Sequence, residues 1–191
     1  MTYMSLVDQA HEILAAVIQA GDTVIDATVG NGYDTLFLAE AVGDTGKVLG
    51  FDVQQQAIEN TLKFLQQKNL QHRVNLLLQS HANVVDHIPT ERQQPIKAVM
   101  FNLGYLPGSD KSVTTHTSST ITALDAVLPH LARGGVVSMM AYRGHSGGAQ
   151  ETQAVLDWSS SLDTAIYTVD ITKPPTSSEK SPLLIMIKNR R

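Results

Sequence analysis

Asp26-Ala27-Thr28-Val29-Gly30-Asn31-Gly32-Tyr33-Asp34-Thr35 is the stretch whose reading decides the fold. Residues 23–27 form a short apolar run of strand type. Residues 34–42 carry a helical pattern that opens directly after the glycines. Strand, glycine-rich turn and helix in direct succession make the first unit of a nucleotide-binding α/β sheet. Gly30 and Gly32 let the backbone turn sharply and let a ligand approach with no Cβ in the way.

The same alternation continues outward in both directions. An amphipathic helix is predicted over 5–19, with Leu6, Ala10, Ile13, Leu14, Val17 and Ile18 on one face, and Gly21 ends it. Strands are predicted at 47–52, 73–79, 96–103 and 136–142, with helices at 54–69, 115–131 and 148–160. Gly134-Gly135 lead into the fifth strand. The last two strands, 163–171 and 183–188, have no helix between them, only a turn-rich stretch around Pro174-Pro175. Alternating strands and helices imply a parallel sheet covered on both faces. The final pair adds one antiparallel strand. The expectation is one α/β domain over 1–191 with a seven-stranded, mostly parallel sheet.

Composition narrows the function classes. The chain has 191 residues, 42% hydrophobic and 17% charged, with mean hydropathy near zero. Such a chain is neither disordered nor a multi-span membrane protein. It has no cysteine, which removes disulfide frameworks, thiolate catalysis and cysteine-held metal sites. No metal is expected, and a reducing cytoplasm suits the composition. The first residues, MTYMSLVDQAHEILAAV, lack the basic start of a signal peptide, and Asp8 and Glu12 interrupt their apolar run. A net charge of −4 opposes a general nucleic-acid coat, so RNA binding requires a local basic patch.

The acids around the turn point to the ligand. Asp26 and Asp34 repel a pyrophosphate and favour a cation, and Thr35 stands where a dinucleotide fingerprint has its third glycine. S-adenosylmethionine carries an ammonium and a sulfonium and no phosphate, and fits better than NAD. Asp34 can alternatively serve only as a helix cap. Asp52 ends the second strand, where an acid accepts hydrogen bonds from ribose hydroxyls. Ser80-His81 end the third strand, where an adenine edge would lie, although His81 is also readable as a plain loop histidine. Thr28, Asn31, Thr35 and Gln54 complete the candidate cofactor set.

Phe101-Asn102-Leu103-Gly104-Tyr105-Leu106-Pro107-Gly108 follows the buried fourth strand and faces the same crevice. The Asn102 carbonyl oxygen can accept from a substrate amine, and the Tyr105 ring can stack on a base. A Pro/Gly turn covered by a tyrosine is the structural alternative. Lys111 can touch a phosphate. Arg143 and His145, in Tyr142-Arg143-Gly144-His145-Ser146-Gly147-Gly148, can contact an acidic substrate.

On DATVGNGYDT (26–35), NLGYLPGSDK (102–111) and YRGHSGG (142–148), the chain resembles the class I S-adenosylmethionine-dependent methyltransferases. Among them it is similar to the YtqB/MnmM family, over nearly the whole chain. It departs from that family's usual pattern at Arg143, where proline is common, and at Ser146, where glutamate is common. The resemblance implies a Rossmann-like methyltransferase fold. It further implies methylation of the 5-aminomethyl group of the tRNA wobble uridine, contact with the anticodon stem-loop, and a homodimer. Carried over by residue, Asp26, Gly30, Asn31, Gly32 and Asp34 form the cofactor loop. Asp52 holds the ribose, Ser80 and His81 flank the adenine, and Asn102, Gly104 and Tyr105 present the substrate. An rRNA methyltransferase or a small-amine N-methyltransferase with the same cofactor remains an alternative, and a nicotinamide oxidoreductase fits less well.

Overall fold

The computed structural model describes residues 4–88, 95–106, 108 and 113–191. Its elements run α1 (Leu6–Ala15), β1 (Thr23–Asp26), α2 (Tyr33–Ala41), β2 (Lys47–Asp52), α3 (Gln55–Gln67), β3 (Val74–Leu78), β4 (Ile96–Leu103), α4 (Thr117–Val127), β5 (Leu131–Ala141), α5 (Gly148–Ser160), β6 (Tyr167–Thr172) and β7 (Leu183–Asn189). Short 3-10 turns at Gln71–Arg73, His81–His87 and Leu128–His130 join some of them. Among the described residues no helix is long and apolar enough to cross a membrane.

The strands form one seven-stranded sheet in the order β3-β2-β1-β4-β5-β7-β6. The first five pair in parallel, and β7 runs antiparallel to both β5 and β6. The single antiparallel strand anticipated from the helix-free end of the chain is therefore β7. Chain order reverses between β1 and β4, and the crevice beyond the carboxyl ends of those two strands is where an open α/β sheet binds ligands.

Period-two alternation in the strands builds a core on each face. Ile25, Val99, Phe101, Val137, Met139 and Ile185 face α4, α5 and the 81–87 turn through Leu124, Val127, Val155 and Val84. Val24, Val48, Ala98, Met100, Met140 and Met186 face α1, α2 and α3 through Leu6, Ala10, Leu14, Leu38 and Leu65. Because both faces are buried, the inner strands read as continuous apolar runs rather than alternating ones.

Two boundaries differ from the sequence reading. Strand β5 begins at Leu131, so Gly134-Gly135 lie inside it rather than ahead of it. Leu131 pairs with Ile96 and Val136 with Ala98, and the intervening residues bulge out of the ladder. Strand β6 begins only at Tyr167, because Asp163 accepts from the backbone N–H of Ala165, Ile166 and Tyr167 and holds a turn there.

The turn after β1 depends on Gly32, which caps α2 with φ of 81°. A Cβ there would lie 2.6 Å from Thr61 Oγ1 and 2.9 Å from Thr61 Cγ2 on α3. Gly32→Ala is expected to cost about 2–4 kcal/mol in urea unfolding, from left-handed backbone strain plus overpacking. Combining it with Thr61→Ala should recover the steric part, seen as coupling in a double-mutant cycle.

Candidate active site

A cavity of about 1000 Å³ opens at the switch point. It is walled by Thr28–Asp34, Asp52 and Gln54, Ser80 and His81, Asn102, Gly104–Leu106, Val113–His116, Tyr142, Gly144, His145 and Lys180. That volume is ample for a nucleoside and part of a second molecule.

The cofactor half starts with the turn that leaves β1. The Asp52 carboxylate accepts from the backbone N–H of Gly30 at 2.8 Å and of Gln54 at 2.9 Å. It braces the turn against the end of β2, and each oxygen keeps a further lone pair for ligand hydroxyls. Asn31 and Ser80 are also on the wall. His81 is a largely buried part of that wall, with Nδ1 3.0 Å from the Ala27 carbonyl oxygen and its ring edge-on to Phe101. The carbonyl can only accept, so Nδ1 carries the proton and Nε2 is an acceptor. Burial lowers the His81 pKa, outweighing the Ala27 bond, and keeps the ring neutral.

Two expected cofactor contacts need correction. Asp26 and Thr35 are fully buried beneath the turn and do not line the cavity. Thr35 Oγ1 donates to Asp26 Oδ2 at 2.6 Å, and the Thr28 N–H donates to Oδ1 at 3.1 Å. Both side chains shape the turn from below. Burial and then the nearby charge of Asp34 push the Asp26 carboxyl from 3.8 up to about 7, against the Thr35 and Thr28 hydrogen bonds.

Asp34 is on the wall, with its side chain only 14% exposed. Its Oδ1 lies 2.7 Å from His11 Nε2 on α1, and its Oδ2 accepts from Asn102 Nδ2 at 2.7 Å. His11 stacks flat on Phe37, with ring centroids 4.0 Å apart. The Asn102 backbone N–H donates to Thr28 Oγ1 at 2.7 Å, joining the ends of β1 and β4 directly. Because Nδ2 donates to Asp34, Oδ1 is the end of the Asn102 amide available to a ligand donor.

The opposite wall is built by the return from the 102–106 segment. Thr114 Oγ1 and the Thr115 N–H both donate to the Gly104 carbonyl oxygen. The buried Glu151 carboxylate on α5 then accepts from Thr115 Oγ1 and Thr120 Oγ1, each at 2.7 Å. The Tyr105 ring meets His145 edge-on, with centroids 5.8 Å apart. His145 is packed closely: a Cβ on Gly148 would lie 2.7 Å from its Nε2. Tyr142 also lines the cavity, and burial followed by the charge of Asp34 raises its pKa.

The expected substrate cations divide three ways. His145 is on the wall. Arg143 is not; its Nε and Nη2 donate to the carbonyl oxygens of Ser181 and Ser178, so its guanidinium holds the β6–β7 connection. Lys111 lies outside the described residues. The sequence reading missed His11, Tyr142, Glu151 and Lys180. His11 had a signal, since it shares the helical face of Val7, Leu14 and Ile18, whereas nothing local marked the other three.

A family model described as "Putative rRNA methylase" matches residues 48–188. The chain belongs to that family. It is 40% identical over 161 residues to the chloroplastic tRNA (mnm(5)s(2)U34)-methyltransferase of Arabidopsis thaliana. That match covers 80% of this chain and 58% of the plant protein, so the chain spans under two thirds of that relative. A "putative rRNA-methylase" from Clostridium thermocellum superposes with a TM-score of 0.93 at 39% identity, covering 99% of this chain and 100% of that one. A "putative methyltransferase" from Streptococcus mutans, solved in complex with SAH, superposes with a TM-score of 0.87 at 37% identity, covering 98% and 99%. The chain is therefore an S-adenosylmethionine-dependent methyltransferase with the class I Rossmann-like fold. The site fits that donor: Gly30 and Gly32 line the cavity, Asp52 stands at the end of β2, and no Lys or Arg lines this half among the described residues.

The raised Asp26 pKa gives a signed pH dependence. Between about pH 4 and pH 7 the folded chain keeps a proton that the unfolded chain has released, so this group's contribution to stability falls as pH rises and levels off above 7. Urea unfolding of the wild type and Asp26→Asn should show the wild type losing ground across that window, by at most about 1.4 kcal/mol per pH unit. Parallel pH profiles would contradict this assignment.

Proposed function

We propose that this enzyme methylates the exocyclic amine of 5-aminomethyl-(2-thio)uridine at the wobble position of tRNA, giving the 5-methylaminomethyl nucleoside. The observation that carries the reading is the Asn102 amide: its nitrogen is tied to Asp34, and its carbonyl oxygen is left to receive an N–H at the meeting of cofactor turn and substrate wall. The 40% identity to a plant tRNA (mnm(5)s(2)U34)-methyltransferase supports the choice of amine.

S-adenosylmethionine supplies a methyl group made electrophilic by its sulfonium. Asp52 holds the ribose hydroxyls, with Gln54, Ser80 and His81 beside the nucleoside. Gly30, Asn31 and Gly32 form the turn that runs along the cofactor, and Thr28 sets the height of Asn102 through its hydrogen bond to the Asn102 backbone. Asn102 Oδ1 and neighbouring carbonyls accept the amine N–H groups and aim the nitrogen lone pair at the methyl carbon. The N–C bond forms as the S–C bond breaks, leaving a neutral thioether, and the methylated ammonium then yields its proton to water. The attacking amine must be neutral, and the apolar surface of Tyr105 and Leu106 on the wall favours that form. Tyr105 stacks on the uracil ring, and His145 packs behind it. We propose a cytoplasmic homodimer acting on the anticodon stem-loop.

Cells lacking this protein should accumulate the unmethylated aminomethyl nucleoside in tRNA, read by mass spectrometry of wobble nucleosides. Methyl transfer from labelled donor into rRNA or small amines, but not into tRNA, would overturn the reading. Asn102→Ala should lower kcat by about 100- to 1000-fold while sparing SAH affinity. Asp52→Ala should weaken SAH binding by about 10- to 100-fold, the size of a lost charge-assisted hydrogen bond. Equal loss of SAH affinity in both variants would contradict the division of roles.

A further inference from the structure

The cavity has a charge axis. Asp34 and Asp52 lie on the cofactor side. Among the described lining residues the only Lys or Arg is Lys180, and it comes from the β6–β7 connection. That connection is held in shape. Arg143 donates to the carbonyl oxygens of Ser181 and Ser178 at 2.8 and 3.0 Å. Ser178 N–H donates to Ser181 Oγ, Ser181 N–H returns to the Ser178 carbonyl oxygen, and Lys180 N–H donates to Ser178 Oγ. The Lys180 carbonyl oxygen lies 3.8 Å from where a Cβ on Gly144 would sit, so the loop abuts the β5–α5 connection at the cavity rim. With the Arg143 guanidinium committed to backbone carbonyls, Lys180 is the described Lys or Arg left to present a charge to the cavity, from a loop whose backbone is held at the rim.

We propose that Lys180 is a substrate-binding residue that contacts a backbone phosphate of the RNA strand beside the nucleotide inserted for methylation, with Arg143 as the positioning residue that holds its loop. The inference rests on the RNA reading above. It explains how a chain of net charge −4 engages a polyanion: acids face the cationic donor, and a held lysine faces the phosphate. It also gives the substrate a polarity, with the modified base toward Asn102 and the sugar-phosphate toward the hairpin.

The experiment measures methyl transfer to unmodified-amine tRNA over a range of KCl concentrations for full-length wild type, Lys180→Gln and Lys180→Arg, with SAH affinity by calorimetry alongside. For Lys180→Gln, KM should rise about five-fold, the size of one exposed charge contact. Its plot of log KM against log salt should be shallower by about 0.7, the share of one single-stranded phosphate. The loss falls on KM rather than kcat, Lys180→Arg restores both readings, and SAH affinity stays at the wild-type value in both variants. An active wild type with the same KM and salt slope in Lys180→Gln overturns this inference alone. A wild type that transfers no methyl to tRNA overturns the RNA reading and this inference with it.

Discussion

One carboxylate, that of Asp34, joins three segments far apart in the chain. It holds His11 of α1 on one oxygen and Asn102 of β4 on the other, while its backbone sits in the first turn of α2. Charge-assisted bonds of 2.7 Å in a half-buried place are directional as well as strong. They set the orientation of an amide that has no other reason to point one way, and they do so where the cofactor turn meets the substrate wall. Asp26, eight residues earlier and wholly buried, supports the same turn from below through Thr35 and Thr28. The two acids divide the labour, one shaping the loop and one orienting the Asn102 amide on the cavity wall.

The walls are assembled on the same plan. Asp52 braces the cofactor side through backbone N–H groups, and Glu151 braces the substrate side through the hydroxyls of Thr115 and Thr120. Asp52 and Glu151 each have donors on both oxygens, which is what lets a charged group sit there at tolerable cost. Preorganisation of this kind suits methyl transfer, where the electrophile is already reactive and alignment of the acceptor atom is the main demand.

Much of this was readable along the chain. Alternating apolar runs and helical stripes gave each of the seven strands, and the helix-free final pair marked the antiparallel β7. Gly30, Gly32, Asp52, Asn102 and Tyr105 stood out because their types are unusual at strand ends and turns, and all five line one cavity. Asp26 and Thr35 were harder to place. Their positions in the motif are right, yet nothing in a linear pattern separates a side chain pointing into a crevice from one pointing beneath it. Arg143 illustrates the same blindness: a rim arginine reads as a ligand for anions, and here two carbonyls of a distant hairpin take it.

What the sequence by itself determined is the register of the layers: which residues face each core, where the chain must turn, and where strands end. Those properties follow from local periodicity and from glycine's backbone freedom, and both are encoded within a few neighbouring residues. The partnerships of His11 with Asp34, Thr28 with Asn102, Glu151 with Thr115 and Arg143 with the 178–181 turn belong to the tertiary structure. They join residues dozens of positions apart, and only the packing of both helical layers against the sheet brings those side chains to within 3 Å.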